Sequence, residues 1–382
     1  MKKLRPAVDA CLLLTAMLGL GLTACRSLPV KPPEIPPLVN QQSAEPARPV
    51  DVLTVTPKMQ GFLDRYVLPY DNERVRVSLL MLAVADKGVL GFHYNDEQTL
   101  TAPEAFVKRS GNCVAFANLM VALAREAGLE AYYQEVQLDP VWSSRGETLM
   151  VTKHINVVVE SSHYAYTMDV SGQDLGASAP RRKLNDKEAL ALYYNNLGAE
   201  ALVENDLGNA YGWLRLAIET EPVRPDPWSN LGVLFARNGQ LDAAEIVYLH
   251  ALTLNEREMS AMSNLHDIYR DQERFEDAAE LKRRVERYRR VNPFYLLHLS
   301  EEAMLTGDLS NAERYLRKAL DLNPDVHQVH YALAQLNYRQ GDLESARGFL
   351  QRALELAPHD RRIDYRNSLS TLVQLDPSQA NR

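Results

Sequence analysis

Three side chains able to do nucleophilic chemistry stand in an order that helix and strand geometry can bring together: Cys113, His154 and Asp169. Cys113 opens the stretch RSGNCVAFANLMVALAREAGLEA (residues 109–131), which is apolar nearly all round and reads as a buried helix with a thiol at its first turn. A helix N-terminus offers unpaired amide donors and the positive end of the dipole, both of which favour an anion. The thiolate, not the thiol, is the nucleophile. His154 lies in VTKHINVVVE (151–160) and Asp169 in HYAYTMDV (163–170), two runs that read as the strands of a hairpin. A turn on Ser161 and Ser162 sets His154 directly opposite Asp169, Asn156 opposite Thr167 and Val158 opposite Ala165. The other face then carries Ile155, Val157, Tyr166 and Met168 toward the core. An imidazole so placed takes the thiol proton and later returns it to a leaving group, while the carboxylate fixes its tautomer. His163, at the turn, is a rival base but lies far from a paired Asp169.

The Cys113 backbone amide is one half of an oxyanion site. Gln134 and Tyr133, on the preceding strand EAYYQEVQL, are the candidates for a second donor. The sequence has no His-Glu-x-x-His, no paired Cys-x-x-Cys, no acidic calcium loop and no glycine-rich phosphate loop, so no metal or cofactor is expected.

The elements around these residues are mixed. VRVSLLMLAVADKG and APEAFVKRS read as helices and precede the three strand-like runs. Residues 51–180 therefore read as an α+β domain, helices first and an antiparallel meander after. Gly-x-Cys opening a buried helix that ends LAREAGLEA, then His on one strand and Asp on the next, resembles the transglutaminase-like superfamily over about residues 90–175. The resemblance implies a papain-like fold with Cys113 as nucleophile, His154 as base and Asp169 as orienting acid. Two departures stand out: KHINVVVE lacks the tryptophan of the family's His-Ala/Ser-Trp stretch, and Asp169 is followed by valine rather than proline. They bear on substrate geometry more than on the triad.

The C-terminal half repeats itself every 34 residues, the tetratricopeptide period. Ala210, Ala244, Ala278, Ala312 and Ala346 occupy one position of five consecutive units; Leu197, Leu231, Leu265, Leu299 and Leu333 occupy another, and Pro222, Pro324 and Pro358 close three of the units. Small residues belong where paired helices cross closely, and each unit buries its apolar face only against its neighbours. The unit at 259–292 is degenerate, with Glu273, Val285 and Arg290 at usual Gly, Ala and Pro positions, and is expected to bend or fray. The repeats span 187–360 as an all-α solenoid, with a capping helix and tail at 361–382. Arg237, Arg270, Tyr331, Gln335, Tyr338 and Arg339 map to the inward side and form a candidate groove for a protein partner.

Residues 1–24 combine Lys2, Lys3 and Arg5 with the apolar run CLLLTAMLGLGLTA, a signal-peptide pattern too short for a stable span. LTAC resembles the bacterial lipobox, which implies cleavage before Cys25, a diacylglycerol on its sulfur and an acyl chain such as palmitate on its new amino group. Arg26 after it favours the outer membrane, facing the periplasm. Residues 25–50, rich in proline, read as a semi-extended tether without a partner. Loss of residues 1–24 removes three basic side chains and one acidic one, moving the formal charge from -8 to about -10, which argues against nucleic-acid binding. Of three cysteines only Cys113 would remain free, so no intramolecular disulfide is expected.

The chain is similar to bacterial transglutaminase-like lipoproteins fused to tetratricopeptide repeats. That similarity implies acyl chemistry on an amide or peptide bond of a protein or peptide substrate. Hydrolysis is expected ahead of cross-linking, because water needs no dedicated amine site. The competing expectation is a non-catalytic scaffold that has kept the fold of the front domain and works through its repeats.

Overall fold

The computed structural model describes residues 31–39, 47–137, 141–143, 148–150, 153–161, 164–170, 180–357 and 359–375. Residues 1–30, Cys25 among them, Ser162, His163, Pro358 and residues 376–382 lie outside the described residues.

Thr56 and Asn72 cap two opening helices, α1 (Pro57–Tyr66) and α2 (Glu73–Ala85). Next come β1 (His93–Tyr94), α3 (Ala102–Lys108) and β2 (Ser110–Gly111), with β1 and β2 paired in parallel. They lead into α4 (Cys113–Glu126), in which every residue from Val114 to Ala124 is buried. That burial on all sides is why the segment shows no polar face in sequence. Glycine is required at 111, where an added Cβ would lie 2.5 Å from the Ala115 Cβ.

The strands follow as β3 (Glu130–Gln137), β4 (Val141–Ser143), β5 (Thr148–Met150), β6 (Lys153–Glu160), β7 (Ala165–Met168) and β8 (Arg181–Leu184). A four-stranded sheet has the order β7-β6-β3-β8 with every pairing antiparallel, and β4 and β5 form a separate hairpin. Ala131, Tyr133, Ile155, Val157, Val159 and Met168 share one core with Leu119, Met120 and Leu123 of α4. The front domain therefore runs to Leu184, past the expected end at 180. β8 carries one buried residue, Leu184, and so has no alternation to read.

The β6–β7 register differs from expectation by two residues: Val158 pairs with Thr167 and Glu160 with Ala165. Ser161 and Tyr164 close the hairpin by exchanging backbone bonds of 2.8 and 3.3 Å, in place of a turn on Ser161 and Ser162. An even shift leaves every side chain on its expected face.

The solenoid pairs α5 (Asp186–Val203) with α6 (Leu207–Thr220), α7 (Pro225–Arg237) with α8 (Leu241–Leu254), and α9 (Met259–Asp271) with α10 (Phe275–Arg290). Further along, α11 (Pro293–Leu305) pairs with α12 (Leu309–Leu322) and α13 (His327–Gln340) with α14 (Leu343–Leu356), and α15 (His359–Leu375) packs on the end. The repeat has a backbone signature: Asn205, Gly239, Glu273, Gly307 and Gly341, each 34 residues apart, all turn left-handed after the first helix of their pair. The degenerate unit marks a break in the core, since one buried cluster ends at Leu281 of α10 and the next begins at Leu296 of α11.

Two relationships alter the expected division into modules. Ala189, Leu192, Tyr193 and Tyr194 of α5 belong to the front domain's core, and Arg125 of α4 pairs bidentately with Asp186 at 2.7 and 2.9 Å. Residues 35–39 of the proline-rich segment, expected to lack a partner, lie on the first two repeats. The Tyr211 hydroxyl donates to the Pro36 carbonyl at 2.8 Å, Gln240 Nε2 to the Pro37 carbonyl at 3.0 Å, and the Val39 amide to Gln240 Oε1 at 3.1 Å. Ile35 and Leu38 pack against the same apolar core as Tyr211.

Candidate active site

Asn112 starts the site. As N-cap of α4 its Oδ1 accepts from the amides of Val114 and Ala115 at 3.1 and 3.0 Å, which fixes the first turn on which Cys113 sits. The helix runs antiparallel to β3: Asn118 accepts from the Tyr133 hydroxyl at 2.9 Å, and Arg125 Nε donates to the Ala131 carbonyl at 3.0 Å. Its first turn therefore lies toward the far end of β3, at Val136, whose partner across the sheet is His154.

His154 is 5% exposed and Cys113 is half-buried. His154 Nε2 contacts Asp169 Oδ2 at close range, and Cys113 is a second neighbour that acts on the imidazole. Burial resists a charge on His154, but Asp169 and Cys113 outweigh it and push its pKa up to about 9. The direction of that shift favours the protonated ring, which the Asp169 carboxylate holds from one side. Continuing the β6–β7 register by one residue sets Asp169 opposite Asn156, so the His154–Asp169 contact is a diagonal one along the same face.

The two oxyanion candidates separate. Gln134 is paired with Asn156 and shares the His154 face, and the Gln134 Oε1 and both polar side-chain atoms of Asn156 are buried without a hydrogen-bond partner. Tyr133 points the other way, is 1% exposed and spends its hydroxyl on Asn118 in the core, so it is a packing residue and not a donor at the thiol. Sequence reasoning missed Tyr94. It pairs with Gly111 beside Cys113, and burial together with the neighbouring Cys113, Asp96 and Asp169 pushes its phenol pKa up. A two-residue parallel bridge leaves no periodic signal by which it could have been found.

The candidate groove residues do not form one surface. Arg237 and Arg339 repeat a single role, donating to the carbonyls of Leu202 and Met304 at the end of the preceding first helix, at 2.6 and 2.8 Å. Arg270 is exposed beside Asp267 and Asp271. Tyr331, Gln335 and Tyr338 line a pocket of about 250 Å³ against α15, where Tyr331 stacks on Tyr365 with ring centres 4.6 Å apart.

An α+β domain with a thiol, imidazole and carboxylate in line, continued by a helical-repeat solenoid, defines the class of protein. Residues 63–167 match the model of the transglutaminase-like superfamily, and residues 225–258 and 297–361 match models of the tetratricopeptide repeat. The chain thus carries a transglutaminase-like domain followed by tetratricopeptide repeats. Among solved structures it is similar to MamA (residues 41 to the end) from Desulfovibrio magneticus RS-1, with 21% identity, 45% of this chain and 96% of that one covered, and a TM-score of 0.26. PilF of Pseudomonas aeruginosa is 20% identical over 52% of this chain and 96% of its own, with a TM-score of 0.27. A thermophilic TPR protein of Thermus thermophilus is 22% identical over 48% of this chain and 99% of its own, with a TM-score of 0.26. No curated protein matches the chain.

Proposed function

We propose that the front domain carries out thiol-dependent acyl chemistry on an amide of a protein or peptide, and that the repeats dock a protein partner. The observation that carries this is the line of contacts Cys113–His154–Asp169. The Cys113 sulfur, as thiolate, attacks the amide carbonyl carbon; the C–N bond breaks, and the departing amine takes its proton from the His154 imidazolium. Water then attacks the thioester and gives a proton to His154, and the C–S bond breaks to release the acid and restore the thiolate–imidazolium pair. The Cys113 amide, next to the two amides that Asn112 takes, supplies an oxyanion donor. Hydrolysis is favoured over transfer to an amine because water needs no second site.

The lipobox-like LTAC supports lipid attachment at Cys25 and a place in the bacterial envelope, at the outer membrane facing the periplasm. Alkylation tests the chemistry. Cys113 in the folded protein is expected to react with iodoacetamide at pH 6 far faster than free cysteine, and His154→Ala to remove the advantage. Labelling of Cys113 only after unfolding would overturn this reading and leave the domain as a scaffold.

A further inference from the structure

A chain of hydrogen bonds joins the solenoid to the first turn of α4. Glu200, on the first solenoid helix α5, accepts at one oxygen, Oε1, from both the amide and the hydroxyl of Thr99, at 3.0 and 2.6 Å. The Thr99 hydroxyl, having donated to Glu200, accepts from Asn112 Nδ2 at 2.6 Å. Asn112 thereby has its amide turned so that Oδ1 faces the helix and takes the amides of Val114 and Ala115. Thr99 and Asn112 are buried, 4% and 6% exposed, so water does not readily replace these partners. The loop holding Thr99 is clamped to the same helix at two more points, by Asn112 N to the Gln98 carbonyl at 2.9 Å and by Asn118 Nδ2 to the Leu100 carbonyl at 3.1 Å.

We infer that Glu200 is a positioning residue for Cys113: through Thr99 it sets the orientation of the Asn112 cap, and with it the first turn that presents the thiol to His154. The solenoid is then part of the site and not a module appended to it. The inference rests on the nucleophile reading above and adds to it a residue 87 positions away in the chain, on the first helix of the solenoid. An Asn side chain can rotate its amide by half a turn, which would offer NH₂ instead of oxygen to the helix amides. The hydroxyl of Thr99 prevents this, because its one proton is committed to Glu200 and only its lone pairs remain for Asn112. A carboxylate at 200 therefore reinforces, two bonds away, the orientation of Asn112 that the donor amides of Val114 and Ala115 require.

The test uses the full chain and reads Cys113 alkylation by iodoacetamide between pH 5 and 9, resolved by peptide mapping. Glu200→Ala and Thr99→Val are expected to slow native alkylation at pH 6 about fivefold, the effect of one disturbed N-cap, and to move the midpoint of the rate–pH profile upward. Glu200→Gln keeps an oxygen for both Thr99 donors and is expected to stay within about twofold of wild type. Leu350→Ala, which damages the solenoid core at its far end, is expected to leave the profile where it was. Circular dichroism reports whether each variant is folded, and Thr99→Val carries the test if Glu200→Ala is not. A native Glu200→Ala profile that overlays wild type overturns the positioning role alone. A wild type that labels only after unfolding overturns the nucleophile reading, and the positioning role falls with it.

Discussion

His154 meets Asp169 across the β6–β7 hairpin on the diagonal, with Asn156 in the place directly opposite the carboxylate. A diagonal contact lets the strand twist aim the ring nitrogen at the carboxylate while its other edge stays toward Cys113. It also places a buried amide, that of Asn156, beside the pair with no partner of its own. The polar layer on this face is therefore held by strand register, and register is the property to probe.

The raised pKa of His154 makes stability depend on pH with a defined sign. Its folded value, about 9, exceeds the ordinary 6.5, so the folded state holds the proton more tightly. The resulting stabilisation is complete below about 6.5 and is lost as pH rises through about 9. Urea unfolding of wild type and His154→Gln between pH 6 and 10 should show a difference on the order of 3 kcal/mol at pH 6 that narrows toward pH 10. A gap that is flat or widens with pH contradicts the imidazolium.

Asp169→Asn keeps the shape and removes the charge. Without the carboxylate, burial regains its hold on the ring and the His154 midpoint, followed by NMR, should fall by at least about one unit. Native alkylation of Cys113 at pH 6 should slow about tenfold in the same variant, because less imidazolium faces the sulfur. An unchanged midpoint would mean that the carboxylate does not act on the ring.

Which parts of this were legible in the sequence follows from the range of the interactions. α4 and the repeats stand out because burial and periodicity are local: eleven consecutive buried residues, and alanines 34 apart, imprint themselves on the chain. The face shared by His154 and Asp169 was readable because strand alternation survives an even register error. Alternation also holds that Tyr133 and Gln134, being adjacent, point to opposite faces, so both could not serve one oxyanion site. β8, Tyr94 and the Glu200–Thr99–Asn112 chain were not readable, since each depends on a partner distant in sequence whose identity no local pattern encodes.

Glu273 adopts a φ of 59° at the position where three of the other four repeats have glycine. A side chain in the left-handed region is strained. Glu273→Gly is expected to stabilise the solenoid by about 0.5 to 1 kcal/mol and Gly239→Ala or Gly341→Ala to destabilise it by about 1 kcal/mol. Thermal melts of the three variants decide it; a destabilised Glu273→Gly would show that the glutamate side chain is used.

Gln240 holds the proline-rich segment from both sides, donating to the Pro37 carbonyl and accepting from the Val39 amide, while Asn238 Nδ2 donates to the Val39 carbonyl at 2.9 Å. A carbonyl-rich chain with few amides of its own needs donors from its partner, and Tyr211, Asn238 and Gln240 supply them. Gln240→Ala removes two of these bonds at once. With each worth roughly 1 kcal/mol net, the Val39 amide should exchange with deuterium at least about tenfold faster, and protease cleavage between residues 31 and 39 should accelerate in parallel. The front domain's melting should not change, because its core takes nothing from Ile35 or Leu38. Equal exchange in wild type and Gln240→Ala would mean that the segment leaves the repeats freely in solution, and the tether would again be a spacer without a partner.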